Sequence, residues 1–333
     1  MFASSTTSGQ LYAYGHGRVG VLQEYLLTQG DVDRMVTARD ATDLARIIAE
    51  LKISTQVEYI ANPHRFINNI EKWLRHELRS MVSEKEAHIF DILWMKDDAA
   101  LLSYLLKKHL GLTSDISTEP HVGATAYDPE DLKALVQGID VPSAPRELRT
   151  FIGSVRENHA LSPQNIDTRV AQFTVDVQLA LARKGSANIL LYVAHHIDLQ
   201  NIRTARRLRR EERPEDHLVR GGEIDVSRFS LDRAKLASVV RGSSLGSALA
   251  DSIQSSEDSS IVLERGLAKA IAFDIARMRS NALTIDPIFA FGAITQSQLK
   301  LLRTILIGKS AHLSAEELKK LLPPFLSTSA YAS

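Results

Sequence analysis

Four short clusters in this sequence have residue types that could do chemistry, and each is tested by the partners that chemistry requires. Gly15-x-Gly17-x-x-Gly20 has the spacing of a dinucleotide fingerprint. That fingerprint works between a strand and a helix, where helix-terminal amides meet a pyrophosphate. The residues before Gly15 are rich in Ser and Thr and hold no apolar strand. The run reads as a loop leading into a helix that begins near Arg18 and Val19. His195-His196 could offer imidazoles to zinc, but adjacent side chains point about 100° apart on a helix. A zinc enzyme wants histidines at i and i+4 with a carboxylate base, and a di-iron bundle wants Glu-x-x-His pairs. Neither pattern occurs. Gly308-Lys309-Ser310 lacks the earlier glycine and the strand of a phosphate-binding loop, so it reads as a helix end. Gly242-Ser243-Ser244-Leu245-Gly246 is not read as the Gly-x-Ser-x-Gly elbow of a hydrolase. No cofactor, metal or catalytic residue is expected.

A fifth cluster is basic. Arg203, Arg206, Arg207, Arg209, Arg210 and Arg213 crowd the end of one helix, followed by Glu211, Glu212, Glu215 and Asp216. Cations at a helix C-terminus complement its dipole. A nucleic-acid surface would want aromatic residues between the cations, and none is present, so no nucleic acid is expected as partner. A solvated helix end and a protein contact both remain open, with Arg206, Arg207 and Arg210 the candidates for contact.

Positioning such side chains falls to helices. Apolar residues recur with helical period almost everywhere, and few β-branched runs alternate. Expected long helices run from about Pro63 to Val82, Ser162 to Lys184 and Asp258 to Arg279. Shorter ones include Val32 to Val36, Leu44 to Leu51, Pro129 to Gly138, Pro145 to Glu157, Leu231 to Val240 and Leu245 to Ile253. Asp31 and Asp40 are candidate N-caps, and Asp97 or Asp98 is a candidate cap for the helix ending at Gly111. Thr295-Gln296-Ser297-Gln298 and Ser314-Ala315-Glu316-Glu317 fit capping boxes. Thr113 to Thr125, with Pro120 and Gly123, reads as a linker.

Composition bounds the rest. The chain has 333 residues, 40 Lys plus Arg against 40 Asp plus Glu, 44% apolar residues and no cysteine. Balanced charge gives no electrostatic reason for a nucleic-acid or acidic partner. Without cysteine there are no disulfides, thiolate metal sites or thiol nucleophile. No apolar run nears the roughly 18 residues of a membrane span, and the N-terminus has no signal-peptide pattern. Any membrane role is therefore peripheral.

The helices also repeat. Leu190 to Arg210 has counterparts beginning at Phe90 and Ala290, with Asp98, Asp198 and Gln298 in equivalent places. Behind them Ala99, Leu102 and Leu105 match Leu199, Ile202 and Ala205, and Leu299, Leu302 and Ile305. Each set makes one helical stripe. The repeat predicts an all-α fold of three similar helical units, 11–112, 126–222 and 226–322, in a pseudo-threefold, funnel-like arrangement. Residues 1–10 and 327–333 are expected to be flexible tails.

A family resemblance enters at the middle copy. Asp198, Asn201 and Arg203, followed by Gly221-Gly222, resemble the D-x-x-N-I/L-K/R plus glycine-pair signature of the C-type subunits of V-type (archaeal-type) ATP synthases. In eukaryotic vacuolar ATPases the counterpart is the d-type subunit. Val262 to Leu267, with Glu264, resembles that family's Glu-containing helix. Leu299 to Lys309, with Arg303, resembles its last block, although Gln298 and Leu301 stand where Glu and Asn are usual. The resemblance implies a non-catalytic rotor adaptor on the cytoplasmic membrane face, joining the central stalk to the proteolipid ring and passing torque. Asp198, Asn201, Gly221 and Gly222 then have structural roles. The rival readings are an all-α enzyme with a site between units, and a helical-repeat nucleic-acid binder.

Overall fold

The computed structural model describes residues 3–57, 62–113, 119–120, 123–208, 213, 216–229, 232–255, 260–322 and 325. The fold is all-α, with no strand among the described residues. The chain opens with α1 (Ala3–Leu22), α2 (Gln29–Thr37), α3 (Ala41–Glu50), α4 (Pro63–Ser80) and the single turn α5 (Glu84–Ala87). Then come α6 (Met95–His109), α7 (Pro129–Gln137), α8 (Arg146–Arg156), α9 (Pro163–Ala182) and α10 (Ala187–Ala205). The last third holds α11 (Arg233–Arg241), α12 (Gly246–Gln254), α13 (Ser260–Ser280), α14 (Asp286–Ser310) and α15 (Ala315–Leu321).

Local sequence explains most of these starts. Asn62 and Ser162 accept first-turn N–H groups of α4 and α9, and Pro63 and Pro163 fill a position that needs no donor. Asp128 and Asp232 do the same for α7 and α11. The capping box at Ser314 and Glu317 opens α15. Other expectations need correction. Thr28 caps α2, with Asp31 as its reciprocal partner. Neither Asp97 nor Asp98 caps α6, which starts after Trp94 without a side-chain cap. Thr295 opens no helix, because α14 is continuous and the Thr295 hydroxyl donates to the Phe291 carbonyl. Residues 3–10, read as a tail, lie in α1, and so do Gly15, Gly17 and Gly20, read as a loop. Residues 327–333 fall outside the described residues.

Packing divides the chain into two compact units. One comprises Met1–Phe90, Gly185–Tyr192 and Ser255–Ser333; the other comprises Asp91–Lys184 and Val193–Gln254. Packing and sequence repeat follow different lines, one tracing contact and the other the order of elements. In the first unit Met35, Ile48, Phe66 and Ile70 close on Leu302 and Ile305 of α14. In the second, Leu101 and Leu106 of α6 meet Leu132, Leu148, Ile152 and Ile166. Burying such aliphatic and aromatic side chains contributes about 1.5–3 kcal/mol each.

Helix α14 is buried almost all round from Asp286 to Thr295, as expected of a helix apolar on every face. Helix α1 packs against it. The approach is close at Gly15, where a Cβ would stand 2.6 Å from Ile288 Cδ1 and 3.2 Å from the Met81 carbonyl. Gly15→Ala should be nearly neutral, since the Ile288 methyl can turn aside and alanine gains about 1 kcal/mol of helix propensity. Gly15→Val cannot be accommodated so cheaply and should destabilise by about 1–3 kcal/mol. Urea denaturation of the two variants checks this, and equal midpoints would remove the close-packing argument.

Candidate functional site

A junction dense in polar contacts lies in the second unit, where α10 meets the loop at 218–224. Asp198 and Asn201 are three residues apart, so they share a helix face. The Asn201 amide donates to the Val219 carbonyl at 2.8 Å and its oxygen accepts the Val219 N–H at 3.0 Å. Asp198 accepts the N–H of Glu223 at 2.9 Å and that of Ile224 at 3.2 Å. Both side chains are buried. The glycine pair makes this staple possible. Gly221 has φ +113°, a region that favours glycine, and a Cβ there would stand 2.5 Å from Leu179 Cδ1. A Cβ on Gly222 would fall within the radius of Asp198 Oδ1.

Two more staples of this kind exist, one for each copy of the repeat. Asp98 on α6 accepts the N–H groups of Ala126 and Tyr127, at 2.8 and 3.0 Å, just before α7. Gln298 on α14, in the first unit, accepts the Leu27 N–H at 2.7 Å and donates to the Leu27 carbonyl at 3.2 Å, just before α2. In each case a buried polar group on a long helix holds the backbone that leads into a short helix. For the third copy that backbone lies at the other end of the chain.

One turn before Asp198 sits His195, which is buried, while His196 is exposed. His195 Nε2 meets the Ser244 hydroxyl and lies 3.3 Å from Glu223 Oε2, and Ser244 Oγ donates to that same carboxylate oxygen. Gly242 to Gly246 does carry the full Gly-x-Ser-x-Gly spacing, with Ser244 at its centre. The geometry is nevertheless unsuited to a nucleophile. A hydrolase elbow joins a strand to a helix, whereas Ser244 joins α11 to α12. A relay places serine on one imidazole nitrogen and the carboxylate on the other. Here both lie on Nε2, and because the Ser244 hydroxyl donates to Glu223, that nitrogen must itself donate to Ser244. The Ser244 N–H, a candidate oxyanion donor, is also taken by Glu223. The cluster ties loop to loop.

Electrostatics at this junction work in two directions. Burial pushes the Asp198 carboxyl up to about 7, against the pull of the Ile224 and Glu223 N–H donors. Glu223 is also raised by burial, but the Ser244 hydroxyl and N–H and then His195 bring it below the usual carboxylate range overall. For Asp198 the folded chain keeps a proton that the unfolded chain releases between about pH 4 and 7. Stability should therefore fall as pH rises through that window, by on the order of 2–4 kcal/mol. Glu223 acts oppositely, losing its contribution as pH falls below the unfolded carboxylate value. Denaturation midpoints from pH 5 to 8 should slope downward for the natural chain and flatten in Asp198→Asn. A slope that survives the substitution assigns it elsewhere.

The remaining sequence candidates lie apart from this junction. Arg206 and Arg207 follow the last residue of α10 in a turn, with Arg207 exposed, and Arg210 lies outside the described residues. Arg203 is half-buried on α10 and Glu264 half-buried on α13. Arg303 on α14 lies 3.6 Å from the buried carboxylate of Glu71 on α4. Among the described residues no three His, Asp or Glu side chains converge as a metal site would require. No described helix is long and apolar enough to cross a membrane. Sequence reasoning missed Ser244, for which the Gly-x-Ser-x-Gly spacing was the available signal.

Residues 16–321 match the family model for the ATP synthase (C/AC39) subunit. The chain belongs to that family. A comparison with curated protein sequences gives no match. Membership in the C/AC39 family makes the chain one of the subunit types of V/A-type ATPases. In this C/AC39 chain the Asp198, Asn201 and Gly221-Gly222 signature is a set of side-chain to backbone bonds within one unit.

Proposed function

We propose that this chain is a non-catalytic rotor adaptor of a V/A-type rotary ATPase. It would join the central-stalk subunits to the membrane proteolipid ring and pass torque between them for ion transport coupled to ATP synthesis or hydrolysis. The observation that carries the reading is the family match across nearly the whole chain. The three staples add support, since a part under rotational load needs low compliance. Side chain to backbone bonds at Asp98, Asp198 and Gln298 resist slippage between a long helix and the next short one. In this reading the chain sits peripherally on the cytoplasmic membrane face through protein contacts alone. The division into units 11–112, 126–222 and 226–322 is part of the proposal.

Affinity purification from native membranes is the direct test: stalk subunits and proteolipid should accompany the chain. The purified chain should neither bind nor hydrolyse ATP, and a serine-reactive fluorophosphonate should leave Ser244 unlabelled. Micromolar ATP binding, or labelling that His195→Ala abolishes, would favour an enzyme instead. Reversing charge at Arg206→Glu, Arg207→Glu and Arg210→Glu together should weaken assembly. Like charges across a contact cost several kcal/mol in unfavourable cases. The melt should be unchanged, because α10 turns Leu199, Ile202 and Ala205 toward the core. Normal capture of stalk and ring would return these arginines to an ordinary solvated helix end.

A further inference from the structure

The glycine run of α1 acquires a second role beside α14. Gly15 lets the two helices touch, but five residues later Gly20 has no heavy atom within 4 Å of where its Cβ would stand. Gly20 is exposed, and beside it lies a partly open cavity of about 170 Å³ in the first unit. Its wall on the α14 side is apolar, formed by Phe291 and Ile294, which are buried. Val19 and Pro287 add to the apolar lining, and the polar groups are His16 on α1, Gln23 in the turn just after it, and Arg279 from the last turn of α13.

Size and lining together restrict what could occupy it. An apolar cavity of about 150 Å³ takes a benzene ring, so this one has room for one six-membered ring or a short branched chain. Phe291 and Ile294 suit a hydrocarbon body. The Arg279 guanidinium is a permanent cation whose fork matches a carboxylate. The Leu283 N–H donates to His16 Nε2 at 3.3 Å, which leaves the neutral ring's proton on Nδ1. The Gln23 amide can donate as well. Arginine with amide and imidazole donors beside an apolar wall is the lining of a site for a small anion with a hydrocarbon tail.

Leu283 adds a further indication. It holds φ +57° without being glycine, and its side chain is 57% exposed. A branched residue in that conformation costs on the order of 1–3 kcal/mol, and such strain gathers where ligands bind. The bond from its N–H to His16 ties that strained turn directly to the cavity wall.

We infer that the cavity between α1, α14 and the end of α13 is a binding site for a small amphiphilic monocarboxylate. The hydrocarbon rests on Phe291 and Ile294, and the carboxylate faces Arg279. The inference is independent of the adaptor role, and either can fail without the other.

The test uses the full-length chain and cyclohexanecarboxylate as probe, with its neutral amide as control, followed by ligand-observed NMR. The acid should bind saturably, and the amide at least tenfold more weakly. Gly20→Leu should abolish binding while leaving the melting temperature equal or higher, because leucine fills the void and improves the helix. Arg279→Gln keeps the cavity and should weaken the acid about tenfold, to the level of the amide. Equal binding of acid and amide would leave only an apolar void. Binding that survives Gly20→Leu would place the probe elsewhere, and absence of saturable binding to the natural chain would overturn the inference. Should Gly20→Leu lower the melt, the acid-to-amide ratio in Arg279→Gln still decides.

Discussion

Gly222→Ala is expected to destabilise the fold by about 3 kcal/mol or more, a large effect for one added methyl. The methyl would occupy space held by Asp198 Oδ1. Neither side can yield easily. Asp198 is fully buried and binds the Glu223 and Ile224 N–H groups, so moving it leaves a buried carboxylate and two backbone donors poorly paired. Leaving a buried hydrogen-bonding group unsatisfied costs about 1–3 kcal/mol, and more for a charged one. The sharper prediction is coupling. Asp198→Ala should itself be destabilising, but it makes room for the methyl, so Gly222→Ala should cost at least about 1 kcal/mol less in that background. Gly221→Ala is the control. Its cost comes from φ +113° and from Leu179, and Asp198→Ala should not relieve it. Urea denaturation of the single and double variants decides, and strict additivity at Gly222 would end the steric account.

Helices with strong local signals were legible in the sequence. The pairs Asn62-Pro63 and Ser162-Pro163 announce α4 and α9 because cap and first-turn proline act locally. The misreadings arose where tertiary burial overrides local grammar. Thr295 to Gln298 satisfies a capping-box pattern, yet it lies inside α14, whose preceding turns are buried on every face. Packing of α14 outweighs one favourable cap. The Gly15 to Gly20 run was misplaced for the same reason. Glycine usually marks a break, but Gly15 is needed inside α1 so that Ile288 and the Met81 carbonyl can approach.

The junction was half legible. Asp198 and Asn201 stand at a helical spacing that marks a shared face. Their partners are backbone groups of Val219, Glu223 and Ile224, and a backbone amide leaves no trace in residue identity. Asp286 shows the same limit more strongly. It is fully buried and held by Ser186, Asn188 and Asn281, side chains that on composition alone would be assigned to the surface. Their convergence depends on where α10 begins and α14 begins, which local pattern does not encode.

Gln298→Glu should cost about 2–4 kcal/mol at neutral pH, although it exchanges side chains of nearly equal shape. The repeat explains why glutamine stands where the other copies have aspartate. Asp98 and Asp198 each meet two N–H donors from successive residues, a task for an acceptor with two oxygens. Gln298 instead meets both backbone groups of one residue, Leu27, and must accept from its N–H while donating to its carbonyl. The substituted carboxylate keeps the first bond and sets an oxygen against the Leu27 carbonyl in a buried place, which carries the penalty of an unpaired buried charge. Protonation restores a donor. The introduced carboxyl therefore has its folded pKa raised above its unfolded value, so stability is present at low pH and lost as pH rises through the folded value. The gap in denaturation midpoint between the natural chain and Gln298→Glu should be wide at pH 8 and narrow at pH 4.5. A gap that stays constant or widens in acid would mean that the Leu27 carbonyl does not need the donor, and that the third staple is held by packing alone.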